Sequence, residues 1–145
     1  VRPKYETQED LNREAQVVLS LQQVWQANAH KLPIKYCLDY AFTRKNRVVA
    51  FCEIKVRNYS MQQIQQFGGY LLSVDKWLAA KSLSQVTKTP FVLVVQTNGG
   101  LYYSSFKDEF LHDGVTLGGR TDRSDWQDVE PCVLLNIKRF QQIPE

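Results

Sequence analysis

The segment from Asp39 to Lys55 constrains this chain more than any other. It reads Asp39-Tyr-Ala-Phe-Thr-Arg-Lys-Asn-Arg-Val-Val-Ala-Phe-Cys-Glu53-Ile54-Lys55, two apolar runs around a polar stretch, Thr43 to Arg47. That is the pattern of a β-hairpin. One run opens on a carboxylate, and the other carries Glu-x-Lys near its end. Strand interiors seldom hold three ionisable side chains, because each loses hydration on burial. Side chains alternate along a strand, so Glu53 and Lys55 share a face about 6.6 Å apart. If the hairpin folds about Asn46, Asp39 lies opposite Glu53, with Cβ atoms roughly 4.5–5.5 Å apart. Two carboxylates at that distance repel unless a cation lies between them. A two-residue turn at Lys45-Asn46 would instead pair Asp39 with Cys52 and tilt it away from Glu53. Asn46 tolerates the positive φ that short turns require. Phe51, Val49 and Ala41 are expected on the acidic face, which argues for partial burial over an ordinary solvated strand. A hard divalent cation held there could activate water, which is the chemistry of phosphodiester hydrolysis.

At 145 residues the chain has one domain's length. Its 43% hydrophobic and 23% charged content suits a soluble globular protein. No apolar run approaches the roughly 18 residues of a membrane span, so no membrane partner is expected. The N-terminal Val-Arg-Pro-Lys-Tyr-Glu lacks the apolar core of a secretory signal. Cys37, Cys52 and Cys132 are odd in number and sit in apolar stretches. They read as buried thiols of a reducing compartment, giving a cytoplasmic or, for a viral chain, host-cell location as the expectation. There is no Cys-x-x-Cys, and His30 and His112 are the sole histidines, so a structural zinc site is not indicated. The net charge of +3 is compatible with a polyanionic partner without identifying one.

Along the chain, Thr7 to about Asn28 is helical, with Thr7 as N-cap and Glu9 and Asp10 in the first turn. Leu11, Ala15, Val18, Leu21 or Gln22, and Trp25 form its apolar stripe. Glu14 falls on that stripe, either at its edge or aimed at something positive. Pro33 opens a first strand, Ile34 to Phe42, and a second runs from Val48 to Val56. Ser60 and Gln63 make a capping box that starts a helix reaching Ser82, with Met61, Ile64, Phe67, Leu71, Val74 and Leu78 as its stripe. Phe91–Val95 reads as a buried central strand. Asn98-Gly99-Gly100 is a hairpin turn before a strand from Leu101 to Phe106. Gly114 to Asp128 reads as a loop, and Pro131 to Ile137 as a last strand. The order α-β-β-α-β-β plus a variable C-terminal strand region indicates an α/β fold, a mixed central sheet flanked by helices.

These residues resemble the PD-(D/E)XK nuclease superfamily, whose restriction-endonuclease-like core is a helix, a hairpin bearing Asp and Glu-x-Lys, a second helix and further strands. The resemblance spans Thr7 to Phe106. Asp39, Glu53 and Lys55 match the motif, with Leu38 where the family often has proline. Glu14 matches the glutamate of the first helix. Gln66-Phe-Gly-Gly-Tyr70 is similar to the Gln-xxx-Tyr element of the RecB-like, exonuclease-related branch. The resemblance implies a metal-dependent hydrolase of DNA, structure-specific or non-specific, with repair or recombination among its roles. Asp39, Glu53, the Ile54 carbonyl and Glu14 would hold Mg²⁺ or Mn²⁺. Lys55, with its pKa raised, would stabilise charge, and Gln66 would bind the metal's water or a phosphate. Tyr70 would contact the DNA backbone or stack on a base, and Arg57, Arg44, Lys45 and Arg47 would meet phosphates, as would Arg120 and Arg123 with less positive field around them. A homodimer is a further expectation. The alternative is a nucleic-acid-binding module or inactive subunit of the same fold that cuts nothing.

Overall fold

The computed structural model describes residues 7–119 and 129–144, so Arg120 and Arg123 lie outside the described residues. Helix α1 spans Gln8–Trp25, and Thr7 caps it through a capping box with Asp10. It ends earlier than the pattern suggests, at Gln26 in the left-handed region. The freed chain forms a short strand β1, Asn28–Lys31, which pairs antiparallel with β2, Tyr40–Arg44. The expected strand from Ile34 is therefore corrected: Ile34–Tyr36 is a 3-10 turn closed by Cys37 at positive φ. Strand β3, Arg47–Val56, agrees with expectation.

The hairpin resolves both sequence alternatives at once. Its turn is the two-residue one, with Lys45 and Asn46 both at positive φ and Arg44 opposite Arg47. Between Thr43↔Val48 and Phe42↔Ala50 the register shifts, leaving Val49 as a bulged residue without a partner. The shift brings Tyr40 opposite Cys52, and so places Asp39 level with Glu53. The bulge also turns Val49 toward the α1 side, not the acidic face.

The expected long helix from Ser60 is broken. Helix α2, Met61–Gln66, stops at Gly68 and Gly69, both at positive φ. Strand β4, Tyr70–Ser73, follows, and helix α3, Val74–Thr87, begins from a Ser73 cap. A Cβ on Gly69 would lie 2.6 Å from the Leu135 carbonyl oxygen, so only glycine permits this approach. Strands β5, Phe91–Thr97, and β6, Gly100–Phe106, form the expected hairpin. Val115–Gly119, expected as loop, is strand β7; β8 is Val129–Leu135 and β9 is Gln141–Gln142.

The main sheet has the order β1-β2-β3-β5-β6-β9, with β3 and β5 parallel and the other pairs antiparallel. A smaller sheet, β4-β8-β7, belongs to the opposite layer from α1. Val17, Val18 and Leu21 of α1 pack with Phe42, Cys52, Ile54, Val92 and Val94 on one face. On the other face, Trp77 of α3 joins Phe51, Phe91, Leu93, Val95 and Phe106, with β4 and β8 closing the core through Leu72, Val133 and Leu135. Cys52 and Cys132 are buried as expected, but Cys37 is exposed.

Candidate active site

Strand β3 continues beyond its partner. Its pairing with β2 stops at Cys52, so from Glu53 to Val56 its β2-side edge has no backbone partner from that strand. Asp39, just before β2, fills the gap with its side chain: Oδ2 accepts the Ile54 amide hydrogen at 2.9 Å. Its own carbonyl accepts from Leu32 at 2.8 Å, which fixes the entry to β2. The carboxylate is thus oriented by backbone on both sides of the sequence motif.

Glu53 is fully buried, on the α3 face of the sheet. An apolar site would protonate an isolated carboxylate, and burial does push the Glu53 pKa up, as does the charge of Asp39. Two amines oppose that tendency. Lys55 Nζ and Lys76 Nζ each stand 3.0 Å from Oε2, and Lys76 also donates to Oε1 at 3.3 Å. Both stand at ion-pair distance, yet among the described residues this buried oxygen has no hydrogen-bond partner. For Lys55, burial alone would lower the pKa, but the charges of Glu53, Tyr70 and Asp39 outweigh it and raise the pKa. The sequence-based direction for Lys55 agrees.

Glu14 reaches the region from the other face. The buried stripe of α1 is Glu14, Val17, Val18 and Leu21, which puts Glu14 within it and not at its edge. Lys31 Nζ contacts both Glu14 oxygens at 3.3 Å and lies 3.7 Å from Asp39 Oδ1. Burial first, then the Asp39 charge, raises the Glu14 pKa to about 7 against the pull of Lys31. Between the two faces, the buried Cys52 thiol is pushed up by burial and by Asp39, Glu53 and Glu14 together. The three carboxylates therefore surround one point of the sheet.

Several expected residues behave differently. Gln66 is exposed at the end of α2, while Tyr70 opens β4, so they do not share a helix face. Tyr70 is buried against Phe140, which removes base stacking as its role. Its hydroxyl is buried with no hydrogen-bond partner among the described residues, and burial raises its pKa while Arg57 and Lys55 lower it. Arg57 lies over the Tyr70 ring at 5.8 Å and remains next to the site. Arg44 is committed to the end of α1, donating to the Trp25 and Gln26 carbonyls at 2.8 and 3.3 Å. Arg44, Lys45 and Arg47 sit at the hairpin tip, six residues or roughly 20 Å from Glu53 along β3. They do not join the cluster. His30 bonds Thr43, and His112 packs edge-on to Trp77.

Lys31 and Lys76 were missed by sequence reasoning because the elements that carry them, β1 and α3, were not anticipated. Ser73 followed by Asp75 is an N-cap signal that could have placed Lys76 in the first turn of a separate helix. Oxygen-rich, carboxylate-based donors suit a hard cation. The unsatisfied Glu53 Oε2, the neighbouring Asp39 carboxylate and the Ile54 carbonyl fit such an ion. Among the described residues, no three His, Cys, Asp or Glu side chains already close into a cage. Lysines occupy the acceptors instead.

A family model described as "Phage putative PDDEXK endonuclease" matches residues 1–143. Among solved structures, the chain is similar to the Holliday junction resolvase Hjc of the archaeal hyperthermophile Archaeoglobus fulgidus. The TM-score is 0.57 with 10% identity, covering 93% of this chain and 92% of that one. That likeness establishes the restriction-endonuclease-like fold. No curated protein matches.

Proposed function

The chain belongs to the phage PDDEXK endonuclease family, and from that premise we propose that it is a structure-specific deoxyribonuclease whose centre is Asp39, Glu53 and Lys55. Asp39, Glu53 and the Ile54 carbonyl would hold Mg²⁺ or Mn²⁺, with Glu14 reaching the ion directly or through water. When bound, the ion polarises the scissile phosphate and acidifies a water. Asp39 is held for this task by the Ile54 amide, and Glu53 by the walls of the core. Lys55 carries a fixed positive charge beside Glu53, and it stabilises the charge that develops on the pentavalent phosphorus. Its raised pKa makes it a poor free base at neutral pH. Arg57 is the phosphate contact closest in sequence to this strand.

The observation that supports the reading best is the levelling of Asp39 with Glu53 across a bulged hairpin, at a free strand edge, with Lys55 at 3.0 Å. Branched DNA is the first substrate class to test, because the similar solved structure is a Holliday junction resolvase. Labelled four-way junctions, duplexes and single strands should be incubated with Mg²⁺ or Mn²⁺. Metal-dependent cuts that disappear in Lys55→Ala support a nuclease. DNA binding with no cuts under any metal would leave a binding module of the same fold.

A further inference from the structure

The proposed centre contains one basic group more than its chemistry needs. Glu53 is fully buried, and two amines approach the same oxygen, so both cannot stay there once a divalent cation arrives. Lys55 reaches from the same strand, two residues away, and is tied to Glu53 by the backbone. Lys76 comes from a different element, the first turn of α3, on a flexible four-carbon stem. Besides standing 3.0 Å from Oε2, it donates a hydrogen bond to Glu53 Oε1 at 3.3 Å. The Lys76 and Lys55 side chains are 27% and 31% exposed and Glu53 is 0% exposed, so both amines link the buried carboxylate to water, Lys76 from a separate element.

We propose that Lys76 is a displaceable placeholder for the metal ion, a positioning residue that holds Glu53 oriented until a divalent cation takes its place. The inference rests on the metal-dependent reading above. With no ion bound, a carboxylate buried beside a second carboxylate needs compensation, or its site distorts. The Lys76 ammonium supplies that charge without making the site permanent. An entering cation meets a pre-ordered ligand and a like charge that can leave for solvent. Lys55 is assigned the charge-stabilising role instead, because its Cα lies two residues from Glu53 on the same strand, whereas Lys76 approaches from a separate helix.

Mn²⁺ titration of the whole chain without DNA, at about pH 8, tests the idea. Lys76→Met should bind Mn²⁺ roughly tenfold more tightly than the parent, since a competing charge is gone. Lys76→Arg should restore the parent affinity. In the unsubstituted protein, acetylation of the Lys76 amine, read by peptide mass, should rise several-fold on adding Mn²⁺, with exposed Lys81 and Lys88 unchanged as internal controls. That measurement holds even where Lys76→Met folds poorly. Equal or weaker Mn²⁺ binding by Lys76→Met, or Lys76 reactivity indifferent to Mn²⁺, would overturn the placeholder role while leaving the metal site intact. If the parent protein binds no Mn²⁺ at all, the metal-dependent reading fails first, and this inference with it.

Discussion

Replacing Glu14 by Gln should make the ion-free protein more stable at neutral pH, and the gain should depend on pH in a defined way. Glu14 lies in the buried stripe of α1, where burial and the Asp39 charge raise its pKa from 4.5 to about 7. The folded state therefore binds this proton more tightly than the unfolded chain. The stabilising contribution of protonated Glu14 is fully present below about 4.5 and is lost as pH rises through about 7. At about 1.36 kcal/mol per pKa unit, the loss has a ceiling of roughly 3 kcal/mol. Gln keeps the shape and one acceptor for Lys31 but never ionises. Guanidinium unfolding followed by circular dichroism, in chelator, should show parent and Glu14→Gln nearly equal at about pH 4. The variant's advantage should grow toward roughly 3 kcal/mol at about pH 8. An advantage that stays flat with pH, or a variant less stable at high pH, would refute the reasoning. Saturating Mg²⁺ should shrink the gap, because an ion bound to the charged parent restores what desolvation costs.

Other outcomes are equally open to measurement. Gly69→Ala should destabilise the fold by roughly 2–4 kcal/mol, combining an unfavourable φ with the 2.6 Å approach to the Leu135 carbonyl; thermal unfolding reads it directly. Asp113 accepts two hydrogen bonds from Arg139 and one from the Asn136 amide, and these hold its pKa well below the usual range. Asp113→Asn should therefore cost stability at neutral pH, and the two unfolding curves should converge as pH falls below about 4. In the native protein, a thiol reagent should label Cys37 fast and reach Cys52 and Cys132 only on unfolding, as counted by mass spectrometry.

The hairpin was legible because strand periodicity carries its own geometry, and the structure brings its Asp39, Glu53 and Lys55 together. The register was not, since it depends on a bulge that no local residue announces. The long helix after Ser60 was misread because the Ile64, Phe67, Leu71, Val74 spacing fits a helix. The helix is interrupted by the cost of Gly68-Gly69 and by pairing of Tyr70–Ser73 with β8, some sixty residues away in sequence. That misreading also hid Lys76, and it produced a Gln66-to-Tyr70 pairing that the fold separates. Glu14 was legible as a carboxylate on an apolar stripe, but its partner Lys31 sits on β1, whose four residues carry almost no strand signal. Fold class and carboxylates were readable from local pattern, whereas the cations that balance them depend on tertiary contacts.

Val49 has no counterpart across the hairpin, and the alignment of the acidic pair depends on its staying out of the ladder. With Val49 kept in the ladder, uniform pairing from the two-residue turn would aim Asp39 at Cys52, whereas omitting that valine would give uniform pairing with Asp39 still opposite Glu53. The bulge is thus a one-residue reserve of chain: a three-nucleotide deletion there can be absorbed without parting the acidic pair, whereas ironing it out at full length parts the pair with every motif residue still present.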